Sequence, residues 1–149
     1  MSNHPLHAFY YEELNWCGCG DPEQVLTFMR DVLLAIRTRT NNSYKRPFSV
    51  HSPERDRDYA AVRALVDDST PLGLSYLYML DGYGLLEHGG YIGGSWLTEK
   101  GETLLKLMEA SDIELVMSDY AFSEEELVGL PSLEGKKNVA VFTEDTSSR

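Results

Sequence analysis

Gly84-Leu-Leu-Glu-His-Gly-Gly-Tyr-Ile-Gly-Gly-Ser-Trp-Leu-Thr-Glu-Lys-Gly101 carries the most informative pattern in the chain. Leu85–His88 and Ser95–Thr98 read as short strands, and the glycine-rich Gly89–Gly94 between them reads as a hairpin tip. Thr98 then caps a helix over Glu99–Ala110, whose apolar residues are Leu104, Leu105, Leu107 and Met108. Gly101 weakens the first turn of that helix. Upstream, Ser69-Thr70-Pro71 supplies an N-cap and a first-turn proline for a helix over Leu72–Tyr83, which Gly82 and Gly84 end. Before it, Tyr59, Val62, Leu65 and Val66 share one face of a helix over Arg55–Asp67.

The flanks extend this centre. Asp21, Pro22 and Gln24 make a helix start, and Val25, Met29, Val32, Leu33 and Ile36 follow at helical spacing. That pattern stops near Thr38–Thr40, and the stretch from Asn41 to about Pro53 is polar, contains Pro47, and reads as a loop. Residues 1–20 are aromatic-rich and read as an irregular N-terminal arm. Ile113–Met117 is compatible with a strand or with a continuation of the preceding helix. Ser123-Glu-Glu-Glu126 is a capping box for a short helix stopped by Gly129 and Pro131, and Asn138–Phe142 reads as a strand. The expected organisation is an arm (1–20), a single α+β domain (21–142) and a flexible tail (143–149).

Helix, turn, helix, strand, glycine-rich tip, strand, helix over residues 55–110 resembles the winged-helix superfamily, through Gly84–His88 and Trp96–Gly101 in particular. The resemblance implies a winged helix-turn-helix core with N- and C-terminal additions. The whole chain also resembles small proteins encoded by bacteriophages, especially around Trp16-Cys-Gly-Cys-Gly-Asp-Pro-Glu23, a likeness that implies no function. In winged-helix proteins that bind DNA, the helix before the wing presents polar and basic groups to the major groove. Here Leu72–Tyr83 carries no Lys or Arg, and none occurs between Arg63 and Lys100. Asp67, Asp68, Asp81, Glu87 and Glu99 leave that span at −5. A surface of this kind repels phosphate, so duplex recognition through Leu72–Tyr83 is not expected.

Charge over the whole chain points the same way. Its 149 residues hold 13 Lys and Arg against 24 Asp and Glu, a net −11, which disfavours nucleic acid on average. The composition, 42% hydrophobic and 11% aromatic, excludes a wholly disordered chain. The exception to the acidity is residues 30–63, where eight basic residues stand against four acidic ones. Arg37, Arg39, Lys45, Arg46, Arg55 and Arg57 are the candidates there for a nucleic-acid-binding regulator.

No nucleophile–base pair, phosphate-cradling loop or His-Glu-x-x-His motif is present, so the expected function is non-catalytic. His88 can pair with Glu87 or Asp81. Cys17 and Cys19, one glycine apart, would hold zinc only with ligands from elsewhere, such as His4, His7, His51 or His88. No cofactor is otherwise expected. The helix over Leu72–Tyr83 is apolar nearly all round, which predicts burial on more than one side. Tyr78, Tyr83, Tyr91 and Trp96 cluster on it and on the wing, and aromatics of this kind suit a protein partner or a dimer. The sequence thus predicts a regulatory protein-interaction module. It shows no signal-peptide pattern, and its longest aliphatic run, Val32–Ile36, is too short to span a bilayer. Reduced cysteines and a cytoplasmic setting, away from membrane, are expected.

Overall fold

The computed structural model describes residues 3–15, 20–40 and 53–136. In chain order the elements are α1 (Pro5–Ala8), a π-helical turn (Phe9–Leu14), α2 (Pro22–Thr40), α3 (Pro53–Leu65) and α4 (Pro71–Gly82). After these come β1 (Leu86–Glu87), a short 3-10 turn (Ile92–Gly94), β2 (Trp96–Leu97), α5 (Glu99–Glu109), α6 (Ile113–Val116) and α7 (Glu124–Leu127). The chain is therefore mixed α+β, mostly helical, with β1 and β2 paired antiparallel in the register Leu86↔Leu97 and Glu87↔Trp96. Asn138–Phe142, read as a strand, and the tail 143–149 lie outside the described residues.

Capping chemistry starts the helices where the sequence signals it. Asp21 Oδ1 accepts from the Glu23 N–H at 3.0 Å ahead of α2. Thr70 Oγ1 accepts from the Gly73 N–H at 3.1 Å and opens α4. Ser123 and Glu126 close their capping box on α7. Asp112 Oδ1 accepts from the Leu115 N–H at 3.1 Å and opens α6, so Ile113–Val116 is a separate helical turn, neither the strand nor the continuation of the preceding helix that the sequence allowed. Each such cap is worth about 1 kcal/mol.

Two compact units arise within the described residues, one from residues 3–30 and 103–136, the other from residues 31–102. The first corrects the expectation of an irregular arm: residues 5–14 are helical, with Leu6, Phe9, Tyr10 and Leu14 buried. His4 is the reason the segment can start a helix. Its Nδ1 accepts from the Leu6 N–H at 3.1 Å, so its proton sits on Nε2, which faces Ser111 Oγ at 3.2 Å. Burial, and secondarily His7, push the imidazole below its usual range, which keeps it in the neutral form the cap requires. Asn15, with φ 48°, ends the π-helical turn in the left-handed region. Leu26, Met29, Leu104, Leu105, Leu107, Met108, Ile113 and Val116 supply the rest of this unit's buried apolar residues.

The second unit buries Val32, Leu33, Ile36, Val62, Val66, Leu77, Leu80, Leu85, Leu86, Ile92 and Leu97. α4 packs against β1 and the 3-10 turn. Its all-round apolar composition does not give burial all round. Gly73, Leu77 and Leu80 are buried, whereas Leu72, Ser75 and Tyr78 face solvent. Two glycines allow close crossings. A Cβ on Gly73 would stand 1.8 Å from the Asp67 carbonyl oxygen, and one on Gly101 would stand 2.2 Å from that of Leu85. Gly101 thus trades some helix propensity for contact between α5 and the chain entering β1.

Gly73→Ala and Gly101→Ala should each destabilise the protein by about 1–3 kcal/mol, through forced backbone movement. Gly82→Ala, where a Cβ meets nothing within 4 Å, should be neutral or slightly stabilising. Urea unfolding of the three variants checks this. Equal midpoints for all three would contradict the two crossings.

Candidate functional site

A two-residue ladder cannot position the segment between β1 and β2 by itself. Side chains from three other elements do so. Arg39, near the end of α2, is 5% exposed. Its Nη1 donates to the Gly93 carbonyl at 2.8 Å and its Nη2 to the Ser95 carbonyl at 2.6 Å. Its guanidinium carbon lies 4.8 Å from the centre of the Tyr59 ring on α3, within cation–π range. Ser95 Oγ donates to the Ile92 carbonyl and tightens the same turn.

Asp68, in the α3–α4 connection, makes the second tether. Arg63 Nε donates to its Oδ1 at 2.8 Å, and the Tyr91 hydroxyl donates to its Oδ2. Burial pushes the Asp68 carboxyl up, but the Tyr91 and Arg63 bonds more than cancel this and hold it below the usual carboxylate range. The same bond to Asp68 raises the Tyr91 phenol. A Cβ on Gly93 would collide with both Asp68 Oδ2 and the Tyr91 ring, so glycine is needed where tether and turn meet.

The tethers leave one face of α4 open. Leu72 is 83% exposed and Tyr78 55%, with Ser75 exposed and Met79 half-buried on the same side. Beside it, Asp81, Gly84, Leu86, Glu87 and His88 line a shallow depression of about 370 Å³. His88 Nδ1 is 2.7 Å from Asp81 Oδ2, and its ring meets Tyr78 edge-on at 6.1 Å. Of the two partners weighed for His88, the structure selects Asp81.

The residues expected at a partner surface are thus divided. Tyr78 is open. Tyr91 is 51% exposed, but its hydroxyl is a strut of the fold. Tyr83 and Trp96 are half-buried. The candidate basic surface is divided too. Arg39 is corrected from a surface group to a buried one, because its fork satisfies two backbone carbonyls. Arg37 pairs with Glu102 at 3.2 Å. Lys45 and Arg46 lie outside the described residues, as do the side chains of Arg55 and Arg57 on α3. Cys17 and Cys19 also lie outside them, with His51. Among the described residues no three His, Cys, Asp or Glu groups are placed to hold a metal ion, and no helix is long and apolar enough to cross a membrane. Leu72 was missed as a surface residue. The available signal was its place in the first turn of α4, just after the Thr70 cap and beside the Gly73, Leu77 and Leu80 stripe, not on it.

Arg39→Ala should cost about 2–4 kcal/mol, since two buried carbonyls lose charged donors. Arg39→Lys should recover only part of that, because an ammonium lacks the planar fork. Urea unfolding measures both, and an unchanged Arg39→Ala midpoint would remove the tether from the account. Asp68 predicts a pH effect. Its folded pKa lies below the unfolded one, so its contribution is present above pH ~4 and lost as pH falls through the folded value. Asp68→Asn should flatten that acid limb of the stability–pH curve, and a limb of unchanged steepness would contradict the assignment.

No protein-family model, curated protein or solved structure matches this chain.

Proposed function

We propose that the chain is a non-catalytic winged-helix module that acts in regulation through protein–protein contact, with the open face of α4 as its contact surface. The succession α3, α4, β1, turn, β2, α5 supports the winged-helix reading, with α4 in the position that DNA-binding members use for recognition. The observation that carries the functional reading is Leu72, 83% exposed on a helix without a single Lys or Arg. An exposed leucine beside an exposed tyrosine on a rigid helix suits a protein contact, where large apolar side chains act as anchors. It does not suit phosphate.

A nucleic-acid-binding regulator that uses residues 30–63 is the weaker reading. Arg37, Arg39 and Arg63 of that segment already hold Glu102, two backbone carbonyls and Asp68. The zinc reading through Cys17 and Cys19 gains no support from the described residues.

The test is paired capture from the native host with quantitative mass spectrometry, using wild type, Leu72→Ser/Tyr78→Ser, and Tyr11→Ser as an exposed control. Both α4 positions are open, so the double variant should stay within about 0.5–1 kcal/mol of wild-type stability. It should lose a partner that wild type and the control retain. Identical partner sets for all three proteins would overturn the assignment of α4.

A further inference from the structure

We infer that the α4 face accepts an amphipathic protein segment whose apolar side is rimmed by Lys and Arg. The inference rests on the contact reading above and adds the chemistry of the partner. The charged side chains on α4 and on the segments that lead into and out of it, residues 67–87, are all acidic. Asp67 lies just before α4, Asp81 on it, and Glu87 on β1. The Ser69 hydroxyl and N–H both donate to Asp67, which lowers its carboxyl below the usual range and keeps it ionised. The cations that flank this span in sequence are engaged, Arg63 on Asp68 and Lys100 on the Tyr83 carbonyl at 3.1 Å. His88 pairs with Asp81 instead of offering an independent charge to the rim.

Charge separates the occupants that an apolar stripe would otherwise admit alike. A second copy would bring the same acidic rim, on a chain of net −11, against itself. A phosphate backbone would meet the same repulsion. A basic-rimmed helix would meet attraction at its edges and apolar contact at Leu72 and Tyr78. This is the helix-in-groove mode of recognition, with electrostatics setting the partner.

The experiment titrates the isotope-labelled full chain with synthetic amphipathic helices that share one leucine face and carry Lys, Gln or Glu on the other. Amide shifts at Leu72, Ser75, Tyr78 and Met79 locate the binding. The Lys peptide should bind there about tenfold or more tightly than the Gln peptide at low salt, with the gap closing in high salt. The Glu peptide should not bind, and Asp81→Asn/Glu87→Gln should narrow the Lys–Gln gap. Equal binding of Lys and Gln peptides at these residues overturns the basic rim and leaves the contact face standing. Shifts confined to other regions, or none with any peptide, overturn the inference; if the Leu72→Ser/Tyr78→Ser protein also keeps every captured partner, the contact face falls as well. Sedimentation of the peptide-free chain as a dimer that the same double substitution dissociates overturns the inference in favour of a second copy. Duplex DNA that moves the same four amides overturns it in favour of nucleic acid.

Discussion

Arg39 joins the end of α2 to a turn 54 residues further along the chain, and it does so with a buried charge. A guanidinium taken out of water is costly unless its donors are met. Here the Gly93 and Ser95 carbonyls meet two of them, and the Tyr59 ring covers a face. The exchange works in both directions, because those carbonyls lie in a turn with no sheet partners of its own. Without Arg39, a ladder of two residue pairs would have to hold the β1–β2 connection. With it, α2, α3 and the β1–β2 connection share one anchor, and Asp68 adds a second. The open face of α4 has a fixed shape because the turn that packs against that helix is held.

Internal use of cations also shapes the exterior. A chain with 13 basic residues can still present a basic surface if they are free to reach solvent. Several of those between Arg30 and Arg63 instead bind carbonyls or carboxylates of the same unit. The stretch 67–87, which holds α4, carries only acidic charge. That favours discrimination among partners over affinity as such, since exposed ion pairs are individually weak.

The starts of α4, α5 and α7 were legible in the sequence because their signals are local. Thr70-Pro71, Thr98 and Ser123 name their helix starts, and the observed elements begin within two residues of expectation. Residues 5–14 were less legible because aromatic density hid a helical spacing at Leu6, Phe9, Tyr10 and Leu14. A histidine is also an unusual cap. Arg39 misled for a better reason, since arginine is among the residues least often buried. The signal that could have placed it is phase. It continues the Val32–Ile36 stripe by one further turn of α2. Asp68 carried no such signal, because its partners come from 63 and 91 and meet only in three dimensions. The open side of α4 was hidden by composition, because leucines, tyrosines and methionine around a helix do not reveal which of them the neighbours cover.

The brevity of β1 and β2 has a consequence for assembly. Among the described residues they are the only strands, each of two residues. A sheet edge recruits further strands when it offers a run of consecutive backbone donors and acceptors in register. Two residues offer almost none, and Glu87 places a charge on that short edge. The β1–β2 ladder thereby offers little template for the growth of fibrils. By the same geometry, strand addition at this ladder would give a partner few backbone hydrogen bonds, and side chains would carry the contact there.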